Sequence, residues 1–292
     1  MFEGAHTALV TPFRNDRFDE DAFARLIEFQ IENGISGIVP VGTTGESPTL
    51  SHEEHARVIE VAVKAAKGRT KVIAGTGSNS TAEAISLTKE AEKAGADAAL
   101  LVSPYYNKPT QEGLFQHYKA IAESTSLPLI LYSIPGRAGI EIGVNTVTRL
   151  AEACPNIVAI KEAGGSVDRV SQLRQVVPDS FEILSGDDGL TLPFMATGAV
   201  GVISVASNII PREVANLVQC ALAGNYAEAR ALHEKWYPLF RDLFIETNPV
   251  PIKTAMALLG QLALEFRLPL CEMQEDNLCK LKATLTALKL IS

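Results

Sequence analysis

The sequence predicts an α/β chain: a (β/α)8 (TIM) barrel over residues 1–223, followed by a C-terminal three-helix extension over 224–292 packed on the barrel. Three observations lead there. Eight short apolar runs recur along the chain, each closed by Gly, Ser, Thr, Pro or a polar residue. Segments with helical periodicity lie between them. The runs are continuously apolar rather than alternating, as strands of a parallel sheet covered on both faces are.

The elements follow in order. "HTALVTPF" opens the barrel. In "DEDAFARLIEFQIENG", Phe23, Leu26, Ile27 and Ile31 share one helical face, and Gly34 stops the helix. "SGIVPVGTTGE" and "KVIAGTGS" are the second and third strands. "STAEAISLTKEAEKAGA" is a helix stopped by Gly95. "DAALLVSPYY", "LPLILYSIP", "NIVAIKEAGG", "FEILSGDD" and "AVGVISVAS" complete the eight strands. Such barrels take ~250 residues, so the surplus falls at the end. There "NYAEARALHEKWYPLFRDLF", "PVPIKTAMALLGQLA" and "CKLKATLTALKLI" read as three helices with no Pro/Gly/Ser linker before them.

With 292 residues, 47% hydrophobic and 21% charged, the chain can bury a large core. A net charge of −8 argues against nucleic acid or an anionic membrane as partner. "MFEGAHTALVTPF" lacks the basic region of a signal peptide. The run "AVGVISVA" is far short of the ~20 residues that span a bilayer. Cys154, Cys220, Cys271 and Cys279 show no C-x-x-C spacing and read as reduced cysteines of a cytoplasmic protein.

Several motifs fail. "GTGSNS" has Ser80 where a dinucleotide fingerprint needs glycine. The histidines of "HEEH" are three apart, not four, so no metal site is expected. No G-x-S-x-G elbow is present. Asp187 and Asp188 in "SGDDG" would repel a phosphate at the seventh strand's loop.

One lysine remains. In this fold chemistry sits at the C-terminal strand ends, where the active site is expected. Lys71 starts the third strand and belongs to the opposite, structural end; Lys161 ends the sixth. The bland alternative is a salt bridge to Glu162, but strand alternation sends Glu162 to the other face. At an ordinary pKa of ~10.4 about one lysine in 2500 is neutral at pH 7. An apolar site that lowers the pKa by ~3 units raises that fraction to roughly a quarter. Such an amine can form a Schiff base with a ketone. Tyr132, closing the fifth strand, is a candidate proton shuttle, or else a barrel aromatic with a hydrogen-bonded tip. "VGTTGE" offers hydroxyls and approachable backbone N–H groups, or else is a tight turn.

The strings "GTTGES", "SPYYNKPTQEGLFQHY", "LYSIPGRAG", "IVAIKEAGG", "LSGDD", "GVISVASN" and "NPVPIKTAMALLG" together resemble the dihydrodipicolinate synthase (4-hydroxy-tetrahydrodipicolinate synthase) family along essentially the whole chain. The resemblance implies a barrel with a C-terminal helical domain, a homotetramer, and a lyase reaction. That reaction condenses pyruvate with L-aspartate 4-semialdehyde in lysine and diaminopimelate biosynthesis, without a metal or organic cofactor. It makes Lys161 the Schiff-base residue and Tyr132 the proton donor and acceptor. Thr43 becomes the relay to Tyr106, which reaches into a neighbouring subunit's site. Thr44, Ile203 and Gly186 fall to the pyruvate site and Arg137 to the carboxylate of the aldehyde. A guanidinium suits that carboxylate because its planar fork binds bidentately. Two departures, Ser133 and Ala138, are expected to border the second substrate's site.

The rivals share the fold and the lysine: sugar-acid lyases of the N-acetylneuraminate lyase or 2-keto-3-deoxygluconate aldolase type. Arg137 favours a small partner bearing a carboxylate. A non-catalytic pyruvate- or lysine-binding member is disfavoured by the joint presence of Lys161, Tyr132, Thr43 and Tyr106. Finally, Ser47, His52, His55, Asn79, Glu83 and Tyr105 match the family's feedback site for L-lysine, with Pro48 altering its loop. Asn79 and Glu83, four apart near a helix start, are expected to share a face.

Overall fold

A computed structural model describes residues 1–292. Ten strands form: β1 (Gly4–Ala8), β2 (Phe13–Arg14), β3 (Arg17–Phe18), β4 (Gly37–Val39), β5 (Lys71–Gly75), β6 (Ala98–Val102), β7 (Leu129–Ser133), β8 (Ile157–Glu162), β9 (Glu182–Ser185) and β10 (Gly201–Ser204). Eight of them close a parallel barrel in the order β1-β10-β9-β8-β7-β6-β5-β4. β2 and β3 form a small antiparallel hairpin between β1 and the first helix; only its Phe13 lies within the run expected as the first strand.

The helices are α1 (Glu20–Glu32), α2 (His52–Ala66), α3 (Thr81–Ala94), α4 (Gln111–Ala122), the single turn α5 (Pro135–Ala138), α6 (Val144–Ala153), α7 (Val167–Val176), α8 (Thr191–Ala196), α9 (Pro211–Leu222), α10 (Tyr226–Asp242), α11 (Val250–Leu258) and α12 (Glu275–Ala287). Their starts are chemically marked. Asp19 accepts from Ala22 N, Ser80 from Glu83 N, and Ser51 with Glu54 forms a reciprocal capping box at α2. Gly95 caps α3 with φ +90°, as expected. α1 ends one residue earlier than the glycine, on Asn33, and Gly34 follows at φ +77°. In α1, Phe23, Leu26 and Ile27 are buried while Ile31 is only half-buried; Gln30 takes the fourth inward place and accepts from Thr7 Oγ1 at 2.6 Å.

The barrel interior is filled by Ala8, Val39, Ile73, Leu100, Ile130, Ala159, Leu184 and Ile203 among others, with Phe2 at the bottom. A second, larger cluster joins the outer strand faces to the helices, and α10, α11 and α12 share it through Trp236, Leu239, Ile252, Met256, Leu281 and Leu285. The tail therefore packs on the barrel as one hydrophobic body. No helix is long and apolar enough to cross a membrane.

The β7–β8 pairing contains an irregularity that matters for the site. Leu129 faces Ile157, but the next residue, Ile130, faces Ala159. Val158 is thus an extra residue in β8, a bulge. Ile157 lies in the outer cluster, and strict alternation from it would send Lys161 outward too. The bulge resets the alternation: Ala159 lies in the inner cluster, Ile160 in the outer one, and Lys161 turns inward.

Candidate active site

The top of the barrel opens into a cavity of about 450 Å³. β8 delivers Lys161 to it, and β7 delivers Tyr132 directly alongside. Lys161 is 6% exposed, and its Nζ lies 4.1 Å from the centroid of the Tyr132 ring. Burial lowers the Lys161 pKa to about 7; the charge of Asp188 pulls it back up and that of Arg137 pushes it further down. Burial pushes the Tyr132 phenol up to about 12, against the field of Arg137 and a hydrogen bond with the Thr43 hydroxyl. An amine that is half neutral near pH 7 thus sits beside a phenol that keeps its proton.

Glu162 does not pair with Lys161. It lies on the outer face, fully buried, where Arg169 Nε donates to Oε2 at 2.7 Å and Gly164 N to Oε1 at 2.7 Å. Lys71 stands at the opposite end of the barrel, 3.3 Å from Asp97. Glu162 follows the strand alternation and Lys71 the strand-end argument. Asp188, expected to repel phosphate, turns its Oδ2 to the backbone N–H groups of Val205 and Ala206 at 3.0 and 2.9 Å, which fixes the chain just after β10. Burial raises its pKa to about 6.

Thr43 and Thr44 lie in the turn after β4 and line the cavity. Two residues with left-handed backbones bracket that turn, Val41 (φ +50°) and Glu46 (φ +54°). A β-branched residue there costs on the order of 1–3 kcal/mol, which the surroundings must hold in place. They do so partly through Thr11 Oγ1, which donates to Gly45 O at 2.6 Å. Gly186 follows β9, and a Cβ there would stand 2.6 Å from Ala163 Cβ and 3.1 Å from Lys161 Cε. Only glycine leaves the lysine stem its room.

The residues assigned to two sites in the sequence share one cavity. Lys161, Tyr132, Thr43, Thr44, Arg137 and Gly186 line it together with Ser47, Pro48, His52, His55, Glu83 and Tyr105. Three assigned residues lie off its wall. Ile203 is buried beneath it in the inner cluster. Tyr106, at φ +70°, stands on the surface, 90% exposed. Asn79 precedes the α3 cap rather than lying on the helix, so the expected shared face with Glu83 does not form; its Nδ2 donates to Tyr105 O at 3.2 Å instead. Glu83 is held by the Ser78 hydroxyl and by His52, 2.9 Å away, and both keep its carboxyl below the usual range. His55 Nε2 lies 2.9 Å from Gly75 O, and burial lowers its pKa.

Of the two departures, Ala138 does line the cavity. Ser133 does not: it follows Tyr132 in β7, so it faces outward, where its Oγ accepts from Ile142 N at 3.4 Å. The expectation that it borders the second substrate is corrected accordingly. Sequence reasoning also left out two lining residues from the tail, Phe244 and Asn248. The one available signal was the polar Asn248 in "NPVPIK", at the break between two helices.

Fold and site together define a (β/α)8-barrel enzyme built round a buried, desolvated amine. The chain belongs to the dihydrodipicolinate synthetase family, whose model matches residues 1–288. It is 57% identical over 282 residues to the 4-hydroxy-tetrahydrodipicolinate synthase of Syntrophus aciditrophicus, covering 97% of each chain. Among solved structures, the 4-hydroxy-tetrahydrodipicolinate synthase of Methylacidiphilum fumariolicum SolV superposes with a TM-score of 0.98 at 62% identity, covering 99% of this chain and 96% of that one. A dihydrodipicolinate synthase of Acinetobacter baumannii complexed with pyruvate (TM-score 0.97, 46% identity, 100% of both chains) is similar throughout. So is one from Cyanidioschyzon merolae with lysine bound (TM-score 0.97, 42% identity, 99% of both).

Proposed function

We propose that this protein condenses pyruvate, held as a Schiff base on Lys161, with L-aspartate 4-semialdehyde to give 4-hydroxy-tetrahydrodipicolinate, acting as a cytoplasmic homotetramer. The observation that carries the reading is the Lys161 amine, buried against the Tyr132 ring with its pKa lowered to about 7. The pyruvate complex of the Acinetobacter relative supports the first substrate.

The chemistry follows from the groups present. Neutral Lys161 attacks the pyruvate ketone and water leaves, forming an iminium. Loss of a methyl proton gives the enamine, whose carbon attacks the aldehyde, and the aldehyde oxygen takes up a proton to become the hydroxyl. The amino group of the second substrate then attacks the imine carbon, closing the ring and expelling the Lys161 amine, so the one water lost overall is that of the first step. Tyr132 moves the protons, and Thr43 relays them to Tyr106 of a neighbouring subunit. Thr44 holds the pyruvate carboxylate and Ile203 and Gly186 shape that site. Arg137 meets the carboxylate of the aldehyde. The iminium is the electron sink, so the scheme calls for no organic cofactor.

The test is borohydride trapping with pyruvate, which is expected to add one reduced pyruvyl group to Lys161. Because the neutral amine is the nucleophile, the trapping rate should rise about tenfold per pH unit below about 7 and level off above it. A rate flat from pH 5 to 9, or a label elsewhere, contradicts the assignment. Arg137→Ala is expected to raise the KM for the aldehyde about 10- to 100-fold with pyruvate trapping largely kept, because a charge-assisted contact is worth ~1.5–3 kcal/mol. Equal damage to both substrates would mean a structural role. Sugar-acid cleavage assayed alongside tests the rival lyases.

Ser47, His52, His55, Asn79, Glu83 and Tyr105 are proposed to bind L-lysine, as the lysine complex of the Cyanidioschyzon relative supports. The carboxylate of Glu83 suits an ammonium, and Tyr105 adjoins Tyr106 in the chain. Initial rates are expected to fall with L-lysine and to lose that response in Glu83→Ala. Unchanged rates through millimolar lysine would remove the site.

A further inference from the structure

The connection between α10 and α11 enters the cavity through Asn248, which is 5% exposed. Its Nδ2 donates to Thr44 Oγ1 at 3.0 Å. Its backbone carbonyl accepts from Arg137 Nη2 at 2.9 Å. One tail residue therefore touches both of the groups assigned above to carboxylates. The segment that follows it is anchored. Lys253 N donates to Pro249 O at 3.0 Å, starting α11, and the Lys253 ammonium reaches back to Glu46, two residues beyond Thr44. The tail thus grips the turn after β4 at two points, Thr44 with Asn248 and Glu46 with Lys253.

The direction of the Asn248–Thr44 bond has a chemical consequence. A threonine hydroxyl has one proton to give and two lone pairs to receive. Here the amide fills a lone pair, so the hydroxyl proton remains for another acceptor. A carboxylate offers acceptors alone. An aspartate in place of Asn248 would take the Thr44 proton for itself and turn the hydroxyl's lone pairs toward the cavity.

We propose that Asn248 is a positioning residue for both substrates: its amide sets the Thr44 hydroxyl as a donor to the pyruvate carboxylate, and its carbonyl aims the Arg137 guanidinium. The proposal rests on the Schiff-base reading above and deepens it. It also moves part of the site from the barrel to the C-terminal extension.

The experiment measures half-saturating pyruvate in borohydride trapping, and the KM of each substrate, for Thr44→Val, Asn248→Ala, Asn248→Asp and the Thr44→Val/Asn248→Ala pair. Thr44→Val should raise half-saturating pyruvate about 10-fold or more, the worth of one hydrogen bond to a charged group. Asn248→Asp should match it, and Asn248→Ala should show a smaller rise. In the pair, Asn248→Ala should add nothing for pyruvate, since the group it acts through is gone. Asn248→Ala keeps the backbone carbonyl, so its KM for the aldehyde should stay within about threefold of wild type while that for pyruvate rises. A merely structural asparagine would move both together. Asn248→Asp is the same size and carries the test if the alanine variant folds poorly. Additive losses in the pair, or wild-type pyruvate binding in Asn248→Asp, would overturn the positioning role while wild-type trapping stands. Failure of the wild type to trap pyruvate would overturn the Schiff-base reading and this inference with it.

Discussion

Replacing Lys161 by alanine is expected to lower turnover about a thousandfold and to abolish borohydride labelling, while the barrel stays folded. The two halves of that expectation have separate causes. Removal of the nucleophile eliminates the covalent route, and neither Tyr132 nor Arg137 can form an iminium in its place. The fold survives because Lys161 contributes no ion pair. Asp188 acts on it through space, and the hydrogen bonds that hold this carboxylate come from Val205 N and Ala206 N to Oδ2, not from the lysine. A buried ammonium is also costly to keep, so Lys161→Met, which preserves volume without charge, should melt no lower than wild type at pH 6. Activity within tenfold of wild type, or a label that persists in the alanine variant, would dispose of the mechanism.

Lys253 presents the opposite case, a lysine that holds the structure together. Its side chain and that of Glu46 are both fully buried and ion-paired. Lys253 Nζ also donates to Glu265 O at 2.6 Å and sits 4.5 Å from the centroid of the Phe13 ring. Burial lowers its pKa, and the Glu46 carboxylate opposes that shift. Arg267 N donates to the other Glu46 oxygen at 3.2 Å. Lys253→Met therefore leaves a carboxylate in the interior without its cation, and should destabilise the protein by ~3–5 kcal/mol. The Lys253→Met/Glu46→Gln pair removes both charges and should recover much of that loss. Thermal or urea unfolding of the three proteins checks the expectation. A loss below about 1 kcal/mol in the single variant would show that water reaches Glu46. Because Glu46 ends the turn that carries Thr43 and Thr44, pyruvate trapping should weaken together with stability.

The barrel was legible because its signals are local. Continuous apolar runs such as "AALLV", caps such as Ser51, Ser80 and Gly95, and the 3.6-residue spacing of Phe23, Leu26 and Ile27 each lie within a few neighbours along the chain. Lys161 and Tyr132 could be picked out on the same grounds, as polar residues closing apolar strands at the functional end of the fold. The β2–β3 hairpin was missed because strands of two residues leave no periodicity to read. Ser133 lies outside the site because it is one position from Tyr132, and one position along a strand reverses the direction of a side chain.

The sequence by itself determined the strand–helix alternation, the eight-strand closure, the three-helix tail and the end of the barrel at which chemistry would be found. Tertiary structure decided the rest. The Val158 bulge turns Lys161 into the barrel, and a bulge is visible only against the partner strand, here β7. The desolvation that lowers the pKa of Lys161 comes from its burial, which exists only once the barrel has closed round it. Asn248 meets Thr44 across 204 residues of chain, and Lys253 meets Glu46 across 207. Contacts at such separation leave no mark in local pattern, because what brings them together is burial of the tail on the barrel, a property of the whole packed body.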